Sequence, residues 1–153
     1  SYGDFWRARP DGTGFFLRGY QEDQRNNRDA PGTALDIGLP IWRIGEALDY
    51  VSALARELGV SAADVMVFAT WTGLDGRMLK NWSSGSQGWN PFAQHGPAST
   101  NDASSMRVLR VEAIDTNLQE LVVDVLGPLY EVFNFYEVSP QRVQHELATY
   151  RGR

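Results

Sequence analysis

Val65-Met-Val-Phe-Ala-Thr-Trp71-Thr-Gly73-Leu-Asp75-Gly76-Arg77-Met-Leu-Lys-Asn81-Trp82 is the stretch on which the reading of the fold turns. Apolar residues run up to Thr70, Asp75-Gly76 supplies the positive φ angles of a tight turn, and Met78, Leu79 and Trp82 carry a returning strand. The expectation is a β-hairpin in an antiparallel sheet, closed by Trp71, Trp82 and Asn81.

Working toward the N-terminus, Ser61-Ala-Ala-Asp64 reads as the turn that leads into this strand. Before it, Ile41, Ile44, Ala47, Leu48, Val51, Leu54, Ala55 and Leu58 recur with the 3.6-residue period of one helix face, starting near Pro40 and stopping at Gly59. Arg43, Glu46, Asp49, Ser52, Arg56 and Glu57 fall on the opposite side. A short strand is expected at Thr33–Gly38, preceded by an exposed loop from Gln21 to Gly32 that lacks apolar periodicity. Phe5–Arg9 and Phe15–Tyr20 flank Pro10-Asp-Gly-Thr-Gly14 and read as a first hairpin.

Toward the C-terminus, Ser83 to Ser105 is rich in Ser, Gly, Asn, Gln, Pro and Ala, and a mobile loop is expected over 84–104. Met106–Ala113 reads as a strand. Thr116 and Gln119 resemble a capping box for a helix buried through Leu118, Leu121, Val122, Val125, Leu126, Leu129 and Phe133. Gly127-Pro128 is expected to kink or divide that helix. Ser139-Pro140 opens a last helix with Val143, Leu147 and Tyr150 inward. The order of elements predicts one α+β domain over 1–153, an antiparallel five- to six-stranded sheet with two or three helices packed against it.

Composition narrows the function. No apolar run approaches the ~20 residues of a membrane helix, so neither a span nor a signal peptide is expected. The absence of Cys excludes disulfides and thiolate chemistry and agrees with the cytoplasm. A net charge of −5, with Arg and Lys scattered singly, disfavours a nucleic-acid interface on this segment. The chain starts in strand-like text at Ser1-Tyr-Gly-Asp-Phe-Trp6 and reads as part of a longer protein.

Phe16-Leu-Arg-Gly-Tyr-Gln-Glu-Asp23, Leu35-Asp-Ile-Gly-Leu-Pro-Ile-Trp42-Arg-Ile-Gly-Glu46 and Trp71–Trp82 resemble the C-terminal region of a group of bacterial transcriptional regulators. These proteins, also described as ATP-binding proteins, carry an N-terminal Schlafen/AlbA-like domain. The resemblance runs from about Gly3 to Glu146. It implies that nucleotide or nucleic-acid chemistry belongs to the Schlafen-like part, which is absent here, and it carries no catalytic residue onto this chain.

The chemistry-bearing residues support binding over catalysis. Only His95 and His145 are available to a nucleophilic triad, one in the Pro/Gly loop and one beside Glu146. Neither a His pair at helical spacing nor a calcium-type loop is present, so no metal or cofactor is expected. Asp11-Gly-Thr-Gly14 joins two strands and is a turn, not a phosphate cradle. Asn81-Trp-Ser83 matches a glycosylation acceptor in a chain with no sign of secretion. The candidate ligand-binding set is Arg18, Trp42, Arg43, Glu46, Trp71, Arg77, Asn81 and Trp82, aromatic walls with polar anchors. Its competing reading is a core or interface cluster; for Glu46 as a catalytic carboxylate, the competing reading is an Arg–Glu pair that pins the helix to the sheet.

Two function classes remain. The first is a non-enzymatic regulatory module that senses a small molecule or self-associates, with Trp6, Trp89 and Phe135 as exposed aromatics at the interface. The second is a small hydrolase acting on a nucleotide-like substrate, with Glu46 or Asp36 as base and Arg43 or Arg77 as anion clamp. Direct nucleic-acid contact is a third reading.

Overall fold

A computed structural model describes residues 3–24, 27–82 and 93–152. The fold is α+β, but its strands form three small sheets instead of one broad antiparallel sheet. β1 (Asp4–Ala8) and β2 (Gly14–Arg18) make the expected first hairpin, from Asp4 opposite Arg18 to Ala8 opposite Gly14. Its turn is closed by the Arg9 amide on the Thr13 carbonyl, with Gly12 at φ +86°. A 3-10 turn, Gln21–Asp23, leads to β3 (Ala34–Asp36) and α1 (Gly38–Glu57). Then come β4 (Asp64–Trp71), β5 (Met78–Lys80), β6 (Gln94–His95), β7 (Ala103–Arg110), α2 (Val111–Thr116), α3 (Leu118–Glu131) and α4 (Pro140–Arg151).

The hairpin expected at 65–82 does not form. β4 pairs along its whole length with β7, from Asp64 opposite Arg110 to Trp71 opposite Ala103. β5 lies parallel to β3 and antiparallel to β6. The local turn is real, with the Arg77 amide on the Leu74 carbonyl and Gly76 at φ +75°. What separates the strands is Leu74, fully buried and tied through its amide to the Asn101 carbonyl at 2.8 Å. The chain is thereby carried into the core between Trp71 and Met78, and β5 emerges against β3. The parallel β3–β5 pair is accessible because α1 and β4 intervene as a long crossover.

Helix α1 buries a seam of alternating small and large residues: Gly38, Ile41, Gly45, Leu48, Ser52 and Ala55. This differs from the expected stripe, since Leu54 and Leu58 are exposed and Ser52 is inside, donating to Asp115 Oδ1 at 2.7 Å. The seam is narrow for a reason. A Cβ on Gly45 would lie 2.5 Å from Leu147 Cδ2, so a glycine lets α4 approach closely. Gly59, at φ +69°, ends the helical region as expected.

Thr116 and Gln119 form no capping box, because Thr116 Oγ1 donates to the Ala113 carbonyl and the chain breaks at Asn117 instead. The helix is not divided at Gly127-Pro128, one of the two outcomes expected there, and α3 continues through Pro128 to Glu131. Pro128 deprives the Asp124 carbonyl of its helical donor. Arg107 on β7 supplies the replacement: Nη2 reaches that carbonyl at 3.0 Å while Nε meets Asp124 Oδ2 at 3.2 Å. Ser139 caps α4 as expected, its Oγ accepting from the Arg142 amide at 3.3 Å.

The core gathers Leu35, Ile41, Leu48, Leu79, Val122, Leu126, Leu129, Phe133, Val143 and Leu147 between the helices and the sheets. Phe135, expected outside, is buried there. It contacts the His95 ring at 4.6 Å and Tyr130 edge-on at 5.6 Å. Of the expected loop at 84–104, residues 84–92 lie outside the described residues, as does Trp89; the remainder contains β6 and the start of β7. No helix among the described residues is long and apolar enough to cross a membrane.

Candidate functional site

Asp36 ends β3 immediately before α1, where the first amides of a helix lack partners. Its Oδ2 accepts from the amides of Gly38 and Leu39 at 3.0 and 2.9 Å, and its Oδ1 accepts from the Trp82 amide at 2.8 Å. The Asp36 amide in turn donates to Glu22 Oε1 at 2.8 Å. Tyr130 of α3 donates to the Ile37 carbonyl at 2.6 Å. A third acid enters from α4: Glu146 Oε2 and Asp36 Oδ2 lie 3.1 and 3.3 Å from the point where a Gly38 Cβ would stand. Glu22, Asp36 and Glu146 are all buried. The N-terminal end of the α1 dipole favours such charge. Burial pushes the carboxyls of Glu22 and Asp36 above their ordinary range, although the amides that donate to them favour the charged form. The Tyr130 hydroxyl is raised by its burial and by the charges of Asp36 and Glu146. Tyr130→Phe is expected to cost about 1 kcal/mol, the worth of one buried hydrogen bond, in a denaturant titration.

A second web surrounds Arg77, whose buried guanidinium forks onto Asp23 at 2.8 and 2.7 Å. It also donates to the carbonyls of Ala34 and Gly73, both at 2.8 Å. Tyr20 lies across its face, 4.2 Å from ring centre to guanidinium carbon, and gives its hydroxyl to the Thr72 carbonyl. Burial pushes the Tyr20 hydroxyl up to about 12. Burial alone would lower the Arg77 pKa, and the hydrogen bonds and charge of Asp23 more than reverse it. Beside this web, Asp29 takes the Lys80 ammonium and the Trp82 indole N–H, the latter at 3.0 Å.

Linkage gives these acids opposite signs. Asp23 is held low chiefly by its hydrogen bonds from Arg77, and Asp29 by Lys80. Their stabilisation is complete above the ordinary 3.8 and is lost as pH falls through the lower folded values. Glu22 and Asp36 behave inversely, so charging them costs stability as pH rises from 4.5 and 3.8 through their higher folded values. Stability is therefore expected to peak at about pH 4 to 5 and to decline on both sides. Denaturant midpoints measured across that range check it.

The sequence-predicted set thus divides into separate places. Arg77 and Trp82 belong to the interior webs, with half-buried Asn81 between Lys80 and Trp82. Trp71 stands on another sheet, half-buried opposite Ala103. Arg18, Trp42, Arg43 and Glu46 do come together on the outer side of α1. Glu46 Oε2 pairs with Arg18 Nη1 at 3.0 Å and with Arg43 Nη1 at 3.8 Å, which pins α1 to the first hairpin. Trp42 stacks on Tyr150 with centroids 5.6 Å apart, and its indole donates to the Glu146 carbonyl at 3.1 Å. Trp42, Arg43, Glu46 and Tyr150 line, with Gln21 and Leu39, an open groove of about 170 Å³. That is smaller than the roughly 300–1,000 Å³ of a typical small-molecule site.

Sequence reasoning missed Asp23, Asp29, Lys80, Tyr20 and Tyr130 as network members. Asp23 and Asp29 lie in a charged, aperiodic segment where pairing has no sequence signature, whereas Asp36 directly before a helix carried a capping signal. Among the described residues no group of three or more His, Asp or Glu is placed to hold a metal. No protein-family model, curated protein or solved structure matches this chain.

Proposed function

We propose that this domain is a non-enzymatic assembly module of a cytoplasmic bacterial transcriptional regulator. The resemblance of its motifs to the C-terminal region of Schlafen/AlbA-like regulators supplies the context. One observation carries the reading: Asp36, Arg77 and Glu46, groups a hydrolase would use, are held by the fold, while a large apolar surface is left in water. Asp36 has both oxygens on backbone amides, Arg77 is buried on Asp23, and Glu46 is paired with Arg18. Met66, Phe68, Met106 and Val108, by contrast, are 59 to 68% exposed on one face of the β4–β7 ribbon. Contiguous exposed apolar patches of this kind mark interaction sites. Sedimentation equilibrium tests the proposal: the average mass is expected to rise from monomer toward a multiple with concentration, and a constant monomer mass would oppose it.

The groove at Trp42 and Tyr150 favours a second reading, a ligand sensor. It predicts that a nucleotide, nucleobase or metabolite raises the thermal midpoint and that Trp42→Ala abolishes the rise. A ligand at about a hundred times its Kd would add roughly 2.7 kcal/mol.

A further inference from the structure

We infer that the outer face of the β4–β7 ribbon docks a second copy of this chain, an inference that rests on the assembly reading and gives it a surface and a partner. In the antiparallel register Met66 lies opposite Val108 and Phe68 opposite Met106, so all four side chains share one face. The other face is covered by α3, where Ala103, Ser105 and Leu109 are buried. The ribbon is a two-stranded sheet, with no third strand beside it among the described residues.

The pattern is close to its own mate. A half-turn about the ribbon's centre exchanges Met66 with Met106 and Phe68 with Val108, so each strand carries Met-x-large-apolar along its own N-to-C direction. A copy stacked face to face about an axis across the strands lays the Met66/Val108 end over its partner's Thr70/Ser104 end. That end holds an open depression of about 360 Å³ lined by Phe68, Thr70, Thr72, Asp102, Ala103 and Ser104, a place for the incoming apolar side chains. The same operation sets the Asp64–Arg110 ion pairs, 2.9 Å within each copy, at opposite ends of the contact. Like charges are not brought together.

The area agrees. Four side chains of this size and exposure offer roughly 500 Å² of apolar surface, near the upper end of what a monomer leaves in water. Two such faces together bury roughly 1,000 Å², the low end of what a specific interface buries, so a weak dimer is expected. Packed sheets of this kind lie about 10 Å apart.

Phe68→Asp, Val108→Asp and, as a control beyond α3, Tyr136→Asp distinguish the surfaces in sedimentation equilibrium on the 153-residue chain. All three side chains are more than half exposed, and circular dichroism serves to check that each variant folds. The expected result is a wild-type dimer weakened about 100-fold or more by either ribbon substitution, the size of a hot-spot loss, and unchanged by Tyr136→Asp. A dimer that survives the ribbon substitutions overturns this inference while leaving the assembly reading standing. A wild-type chain that stays monomeric overturns both.

Discussion

Arg77→Met is expected to lower the stability of the fold by about 3 kcal/mol, comparable to the loss from breaking a buried ion pair on one side. For a chain of this length that is a fall of roughly 6–12 °C in Tm. The substitution keeps much of the side chain's bulk but removes four donor contacts at once: two to Asp23, one to Ala34 and one to Gly73. Asp23 is about a third exposed and is partly rehydrated, which limits the loss. Arg77→Lys restores a charge without the fork and is expected to recover less than half. The pH profile gives a second signature. Asp23 returns toward its ordinary 3.8 in the methionine variant, so the loss of stability below pH 4 becomes shallower. A variant as stable as the wild type would contradict the role of the guanidinium in holding the fold.

Asp36→Ala has an expected cost of about 3 to 4 kcal/mol, because it strands the amides of Gly38, Leu39 and Trp82 where solvent reaches them poorly. Asp36→Asn retains one acceptor oxygen and loses the other, so an intermediate loss is expected. Its size indicates which contact matters more. If the remaining oxygen stays on Gly38 and Leu39, α1 keeps its cap and only the link to Trp82 fails. Chemical denaturation monitored by tryptophan fluorescence reads both variants. An alanine variant of unchanged stability would contradict the capping role.

The elements visible in the sequence are those set by local chemistry. The first hairpin follows from Pro10-Asp-Gly-Thr-Gly14 between two aromatic runs, and α4 from Ser139-Pro140. Helix α1 was legible from its period, but its seam was misplaced because Gly38, Gly45 and Ser52 contribute by being small, which hydrophobicity does not record. Pairing was the harder question. β4 alternates in burial along its whole length, as a strand with one solvent face should, yet nothing local separates a partner at 78–80 from one at 103–110. The choice rests on Leu74 being drawn into the core, a tertiary event. Pro128 fails to break α3 for a similar reason, since its orphaned carbonyl is met by Arg107 from another element.

The candidate site was legible only in part. Arg18, Trp42, Arg43 and Glu46 converge, with Glu46 pinning α1 to the hairpin as its competing reading anticipated. Trp71, Arg77, Asn81 and Trp82, expected beside them, stand apart because β4 and β5 enter different sheets. Alternation in the sequence places Met106 and Val108 on one face of their strand, but it does not say whether that face is buried or which strand lies beside it. Only the register of β4 on β7 shows that Met66, Phe68, Met106 and Val108 share the side away from α3.

The measurement that tests the central claim most directly uses the chain's three methionines as methyl reporters in NMR spectra recorded over a range of concentrations. Met66 and Met106 lie on the proposed contact, whereas Met78 sits in β5 and serves as an internal control. The account predicts that the signals of Met66 and Met106 shift with concentration and become shielded from a soluble paramagnetic agent, while Met78 does not change. Three methyl signals that are indifferent to concentration, with Met66 and Met106 fully open to the agent throughout, would contradict it.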